Sequence, residues 1–222
     1  MQKLFSAIIN VLISLFFFQL STKGQAVKNG NLQKLISYHS QAKLMFHALV
    51  LTEKGGIQEG FVLAALDWLK EFSSQSNFDF TIIYQADSRS DNYLSHCKVF
   101  IQLNYPTYRW SDISKASFTR YIEEGRGGWV GFHHAPLPGG FGGYSMWEWY
   151  SKFMGRIRQK VCIVPRTPGT LIVEDQKHPV IWTNEKMKAR NVYFQMGHHA
   201  NIFHSAEFKR MFGNAILWAA GK

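Results

Sequence analysis

Four histidines stand in two adjacent pairs, His133-His134 in GGWVGFHHAP and His198-His199 in NVYFQMGHHA, and each pair directly follows a short apolar run. Imidazole is the one side chain that both ligates metals and exchanges protons near neutral pH without a perturbed environment. Each run has the composition of a strand, and in an open α/β sheet ligands bind in the crevice beyond the carboxyl ends of the strands. Two strand ends would therefore deliver imidazoles to one rim. Neighbouring side chains on a strand point to opposite faces, so one of each pair enters the crevice unless the chain turns sharply there, as in a nucleophile elbow. His133 and His198 are the catalytic candidates, as acid/base or metal-binding groups, with His134 and His199 beside them on the substrate side. The competing reading is a set of buried, hydrogen-bonded histidines.

With His204, the second segment carries three imidazoles within seven residues, which could supply part of a zinc site. No H-x-x-x-H on a helix and no paired-cysteine pattern completes it. A divalent metal such as zinc stays an alternative with no assigned ligand set. The stretch EKGGIQEG, at a strand-to-helix turn, could cradle an anion on backbone N–H groups and offers Glu59 as a candidate acid. A carboxylate in the first turn of a helix is also favoured by the helix dipole alone. The stretch lacks the G-x-G-x-x-G and P-loop spacings that hold a nucleotide. Asn104 and Tyr105, in NYP after an apolar run, would line the crevice, and Trp147 after the glycine-rich PLPGGFGGY loop is a stacking candidate for the apolar face of a sugar. No serine or cysteine occupies a recognisable nucleophile elbow, which argues against acyl-enzyme chemistry.

The elements that must position these groups follow from hydrophobic patterning. Strands are expected over 45–52, 78–84, 99–103, 127–132 and 191–196, and helices over about 61–72, 110–124, 146–154 and 205–220, with a short helix or turn within 87–97. Residues 161–164 and 171–173, joined by PRTPG, read as a hairpin. The near-continuous apolar strands and their alternation with helices predict an α/β fold, a doubly wound, mostly parallel sheet with helices on both faces.

Residues 1–26 read as a signal peptide, with Lys3 ahead of the apolar run 4–18 and small residues at Gly24 and Ala26. That run is short for a membrane span, so no stable span is expected after cleavage, and the protein is expected in the periplasm or secreted. Residues 27–42 form an amino-terminal extension, and 43–222 one domain. The net charge of +10 would become +8 without Lys3 and Lys23, but the basic residues are scattered and no nucleic-acid motif is present. The two cysteines, Cys97 and Cys162, are no disulfide framework, and their apolar neighbours favour buried thiols.

The combination LVLTEKGG, EGFVLAALDWL, GGWVGFHHAP, EDQKHPV, VYFQMGHH and FKRMFGNAILWAAG resembles the trehalose-utilisation, or ThuA-like, domain of the class I glutamine amidotransferase-like superfamily, over about residues 43–221. The resemblance implies a flavodoxin-like fold and a role in the use of a small-molecule carbohydrate, a disaccharide or keto-sugar, through hydrolase-type or isomerase-like chemistry. In the amidotransferases the fourth strand ends in a nucleophilic cysteine, a place that His133 takes here. The resemblance also marks two departures. Gln58 stands where the family has a histidine beside the acid. An acidic-aromatic segment is missing, so the chain reads as shortened between about 178 and 190. The alternative it leaves is a non-catalytic sugar-binding module that lost activity.

Overall fold

The structure, a computed structural model, describes residues 44–56, 58–86, 90–140, 142–156 and 181–222. The expected signal peptide, the amino-terminal extension, the hairpin and Cys162 lie outside the described residues.

The sheet comprises β1 (His47–Thr52), β2 (Asp79–Ile83), β3 (Val99–Leu103), β4 (Gly128–Phe132), β5 (Ile181–Trp182) and β6 (Asn191–Phe194). Their order is β2-β1-β3-β4-β6-β5, parallel throughout except for β5 against β6. The helices are α1 (Glu59–Gln75), α2 (Ser90–His96), α3 (Asp112–Glu123), α4 (Glu148–Phe153) and α5 (Ala206–Ala219), with one-turn 3₁₀ segments at Thr107–Arg109 and Ala200–His204. This is the flavodoxin-like, doubly wound α/β arrangement that the patterning predicts.

Every residue of β3 and β4 is buried, because helices cover both faces. Alternation divides the side chains of the central strands between two cores. Val130, Phe132, Val192 and Phe194 join Phe61 and Leu69 of α1 and Phe212 and Ile216 of α5. Trp129 and Tyr193 join Phe118 and Tyr121 of α3 and Tyr150 and Phe153 of α4. Full burial of each such side chain is worth about 1.5–3 kcal/mol, so the strands are fixed in place mainly by these two layers. Ser111 and Ser205 start α3 and α5 by accepting the backbone N–H groups of Ser114 and Phe208. Cys97 is a buried free thiol in the α3 layer, with its pKa pushed up to about 12 by burial.

Register decides what meets at the rim. β4 and β6 pair Phe132 with Phe194, so both strands end at the same level and His133 emerges beside Gln195.

Candidate active site

His133 leaves β4 with φ 44°, in the left-handed region that a residue with a side chain rarely adopts. Backbone bonds hold it there. Its N–H donates to Phe194 O at 2.9 Å, the Tyr193 hydroxyl donates to its carbonyl at 2.8 Å, and Ala135 N–H donates to Phe132 O at 2.9 Å. The corner breaks the alternation of the strand. His133 and His134 consequently stack, with ring centroids 4.5 Å apart and an interplanar angle of 21°.

Gly197 opens the second approach. At φ 139° its missing Cβ would meet His133 Cβ at 3.3 Å, Phe61 at 3.3 Å and Phe132 at 3.4 Å, so only glycine lets β6 turn against β4 this closely. His198 then lies edge-on to His133, with centroids 5.1 Å apart and His198 Nδ1 at 3.2 Å from His133 Nε2.

Hydrogen bonding fixes the tautomers. His133 Nδ1 lies 3.2 Å from Gln195 O, and a carbonyl only accepts, so Nδ1 carries the proton. Burial, opposed by the Gln195 carbonyl and reinforced by the neighbouring His198, pulls the His133 pKa down, so the ring is neutral at pH 7 and its Nε2 is a lone pair. His198 Nδ1–H must therefore donate to it. In the neutral tautomer this leaves His198 Nε2 as a lone pair, and among the described residues it is buried without a hydrogen-bond partner. The result is a directed chain, from His198 to His133 to the Gln195 carbonyl, with an unused basic nitrogen at its head.

His134 is fixed separately. Gln58, 4% exposed, donates its amide from Nε2 to His134 Nε2 at 3.2 Å. Burial, with the charges of His133, His198 and Arg109, takes the pKa of His134 down to about 4. Asn104, at φ 59° and 1% exposed, accepts from His134 N–H at 3.4 Å and donates to Gly197 O at 2.8 Å. Both ends of its amide thus tie the ends of β3, β4 and β6 together, and it acts as a brace for the corner.

His133, His134, His198, Gln58 and Asn104 are thus brought together from the ends of different strands. Others of the sequence candidates are not. Glu59 is exposed at the start of α1, and its carboxylate makes no hydrogen bond or ion pair with these rings. His199 and His204 are exposed at the two ends of the second 3₁₀ turn. Trp147, 9% exposed, stacks on Trp149 and Tyr150 within the α3 layer and serves as core. Tyr105 is equally buried, and its carbonyl accepts the Gln102 side-chain amide. Among the described residues no three His, Cys, Asp or Glu side chains are disposed to hold a metal ion.

Sequence reasoning missed Tyr193, Glu53 and Arg109. Tyr193 is part of an apolar strand, and only the β4–β6 register aims its hydroxyl at His133. Arg109 Nη1 donates to Glu53 Oε1 at 2.9 Å across 56 positions of sequence, a pairing no local pattern announces. Burial raises the Glu53 pKa, opposed by the Arg109 charge.

The fold and rim define a flavodoxin-like α/β protein with histidines clustered at the carboxyl ends of its central strands. The ThuA family model, described as trehalose utilisation, matches residues 47–176 and 148–219, and the chain belongs to this family. That membership connects it, at a coarse level, with carbohydrate utilisation. A ThuA-like protein from Bacteroides uniformis has a solved structure that superposes with a TM-score of 0.62 at 19% identity, covering 80% of this chain and 92% of that one. A ThuA-like protein from Parabacteroides merdae gives 0.55 at 15% identity, covering 81% and 91%. Both likenesses concern the fold. No curated protein matches the chain.

Proposed function

We propose that the protein is an exported carbohydrate-processing enzyme of hydrolase type, acting on a disaccharide or keto-sugar, in which His198 is the general base and His133 its partner. The observation that carries this reading is the buried, unpartnered Nε2 of His198 at the head of the hydrogen-bonded chain. A water or sugar hydroxyl placed against that nitrogen gives up its proton to it. His198 then becomes imidazolium while its Nδ1–H still donates to His133 Nε2, which holds the ring in orientation through the proton transfer. His133 is in turn held by the Gln195 carbonyl, the part that a carboxylate plays in a Ser-His-Asp triad. His134, neutral and beside them, presents a polar edge to the substrate without adding charge. The amino-terminal segment 1–26 supports export to the periplasm or beyond the cell. Matching of the family model in two stretches that overlap at 148–176 supports a chain shortened before β6.

A second reading, sugar binding without turnover, is favoured by Gln58. Its amide holds His134 but exchanges no proton in the physiological range.

Product formation from trehalose, maltose and sucrose, followed by anion-exchange chromatography, separates the readings. His198→Ala and His133→Ala are expected to lower turnover by about 10²–10⁴-fold, the usual worth of a positioned acid or base, with unchanged circular dichroism. Equal turnover in both variants removes the catalytic assignment. Binding of a sugar by the unmodified protein with no product at all establishes the second reading.

A further inference from the structure

The rim of the sheet extends beyond the histidines. Between β1 and β3 the strand order reverses, which is the topological switch point where open α/β sheets take their ligands. Glu53 follows β1 and Arg109 lies in the turn after β3, so their ion pair spans this point. The Glu53 side chain is 18% exposed and that of Arg109 51%, so the pair is open towards solvent on the arginine side.

Aromatic surface adjoins it. The Arg109 guanidinium stands 5.7 Å from the Tyr108 ring centroid, and Tyr108 packs on Tyr144 with centroids 4.5 Å apart at 48°. Tyr144 is 46% exposed. Backbone bonds join this surface to the histidines through Leu137. Leu137 N–H donates to His134 O at 3.2 Å, while Leu137 O accepts from Tyr108 N–H at 3.1 Å and from the Thr107 hydroxyl at 2.7 Å. The loop is also closed at its far end, where Gly140 N–H donates to Tyr144 O and Trp147 N–H to Pro138 O. These bonds hold the platform against the end of β4.

We propose that Tyr108, Tyr144, Glu53 and Arg109 form a second sugar subsite, which takes the outer unit of a neutral disaccharide whose reacting unit lies at His133 and His198. This rests on the carbohydrate reading above. A pyranose offers an apolar C–H face to an aromatic ring and vicinal hydroxyls to polar groups at its edge. A vicinal diol presents a donor and an acceptor side by side, and a carboxylate beside a guanidinium supplies the complementary pair. Because Glu53 offsets the charge of Arg109, the subsite is close to neutral and suits an uncharged sugar better than a sugar phosphate. Ligand sites generally combine such an apolar wall with a few placed polar groups.

Calorimetric titration of the full-length chain, unmodified and as His198→Ala, with trehalose, maltose, sucrose, glucose and trehalose 6-phosphate tests this. At least one disaccharide is expected to bind about tenfold or more tightly than glucose, and Tyr144→Ala and Arg109→Gln are each expected to remove about five- to tenfold of that disaccharide affinity while leaving glucose unchanged. Equal losses for disaccharide and glucose, no loss in either variant, preference for the phosphate, or no sugar bound at all would each overturn the subsite. Turnover that persists in His198→Ala removes the catalytic assignment instead and leaves the binding comparison intact.

Discussion

Replacing His134 by Gln is expected to remove a pH-dependent part of the stability of this protein. In the folded state the ring is neutral down to about pH 4 because burial and the neighbouring His133, His198 and Arg109 disfavour its charged form. In the unfolded chain it protonates around pH 6.5, its ordinary value. Above that pH both states are neutral at this residue and it has no effect on the balance. As the pH falls below it, the unfolded state binds a proton that the folded state refuses, so stability is lost progressively until about pH 4. With about 1.36 kcal/mol per unit, a displacement of about 2.5 units sets a ceiling near 3.4 kcal/mol. Solvent reaching the open edge of the ring reduces this to roughly 1.5–2 kcal/mol. The assay is urea unfolding of the wild type and of His134→Gln at intervals from pH 7.5 to 4. Groups present in both proteins that do not interact with His134, Glu53 among them, cancel in the difference between the two stabilities. That difference should shift in favour of the variant by about 1.5–2 kcal/mol as the pH is lowered. A difference that stays constant to within about 0.5 kcal/mol over the range refutes the argument that His134 is held neutral by its surroundings.

Two further outcomes concern the braces of the site. Gly197→Ala is expected to destabilise the fold by about 1–3 kcal/mol, because its Cβ would press on His133, Phe61 and Phe132 at a φ reserved for glycine, and urea midpoints measure the loss. Asn104→Ala removes the links to His134 N–H and Gly197 O and leaves a side chain unsuited to φ 59°, with an expected loss of about 2 kcal/mol in the same assay. A change under about 0.5 kcal/mol would show that Asn104 does not hold the strand ends.

The sheet was legible because its central strands are buried on both faces and therefore apolar without interruption. Val99–Leu103 is bounded as expected, and β1, β4 and β6 differ from the expected spans only at their ends. The two-residue β5 carries no periodicity at all, and α4 is shorter than the aromatic run around it, since Trp147 packs from outside the helix. For the site, the strand-end position of His133, His134 and His198 could be read from the apolar runs before them. Their orientation could not. It depends on a left-handed residue that is not glycine, and on the level at which β4 and β6 stop. Glu59 was selected as the acid of the strand-to-helix turn, yet it is the first residue of α1 and faces solvent, while Gln58, just ahead of the helix, is buried.

The backbone of the corner at the end of β4 is held by groups other than the imidazole, whose own bond runs from Nδ1 to the Gln195 carbonyl. The groups that hold His133 in its conformation are its own N–H and carbonyl, the Phe194 carbonyl, the Tyr193 hydroxyl and the Ala135 N–H. The backbone there behaves as a socket, which would present whichever reactive group a single codon change installs at the same height above the sheet. Exchange of the reagent at position 133 is thus separable from the architecture that aims it, and one scaffold can be refitted for different chemistry without being rebuilt.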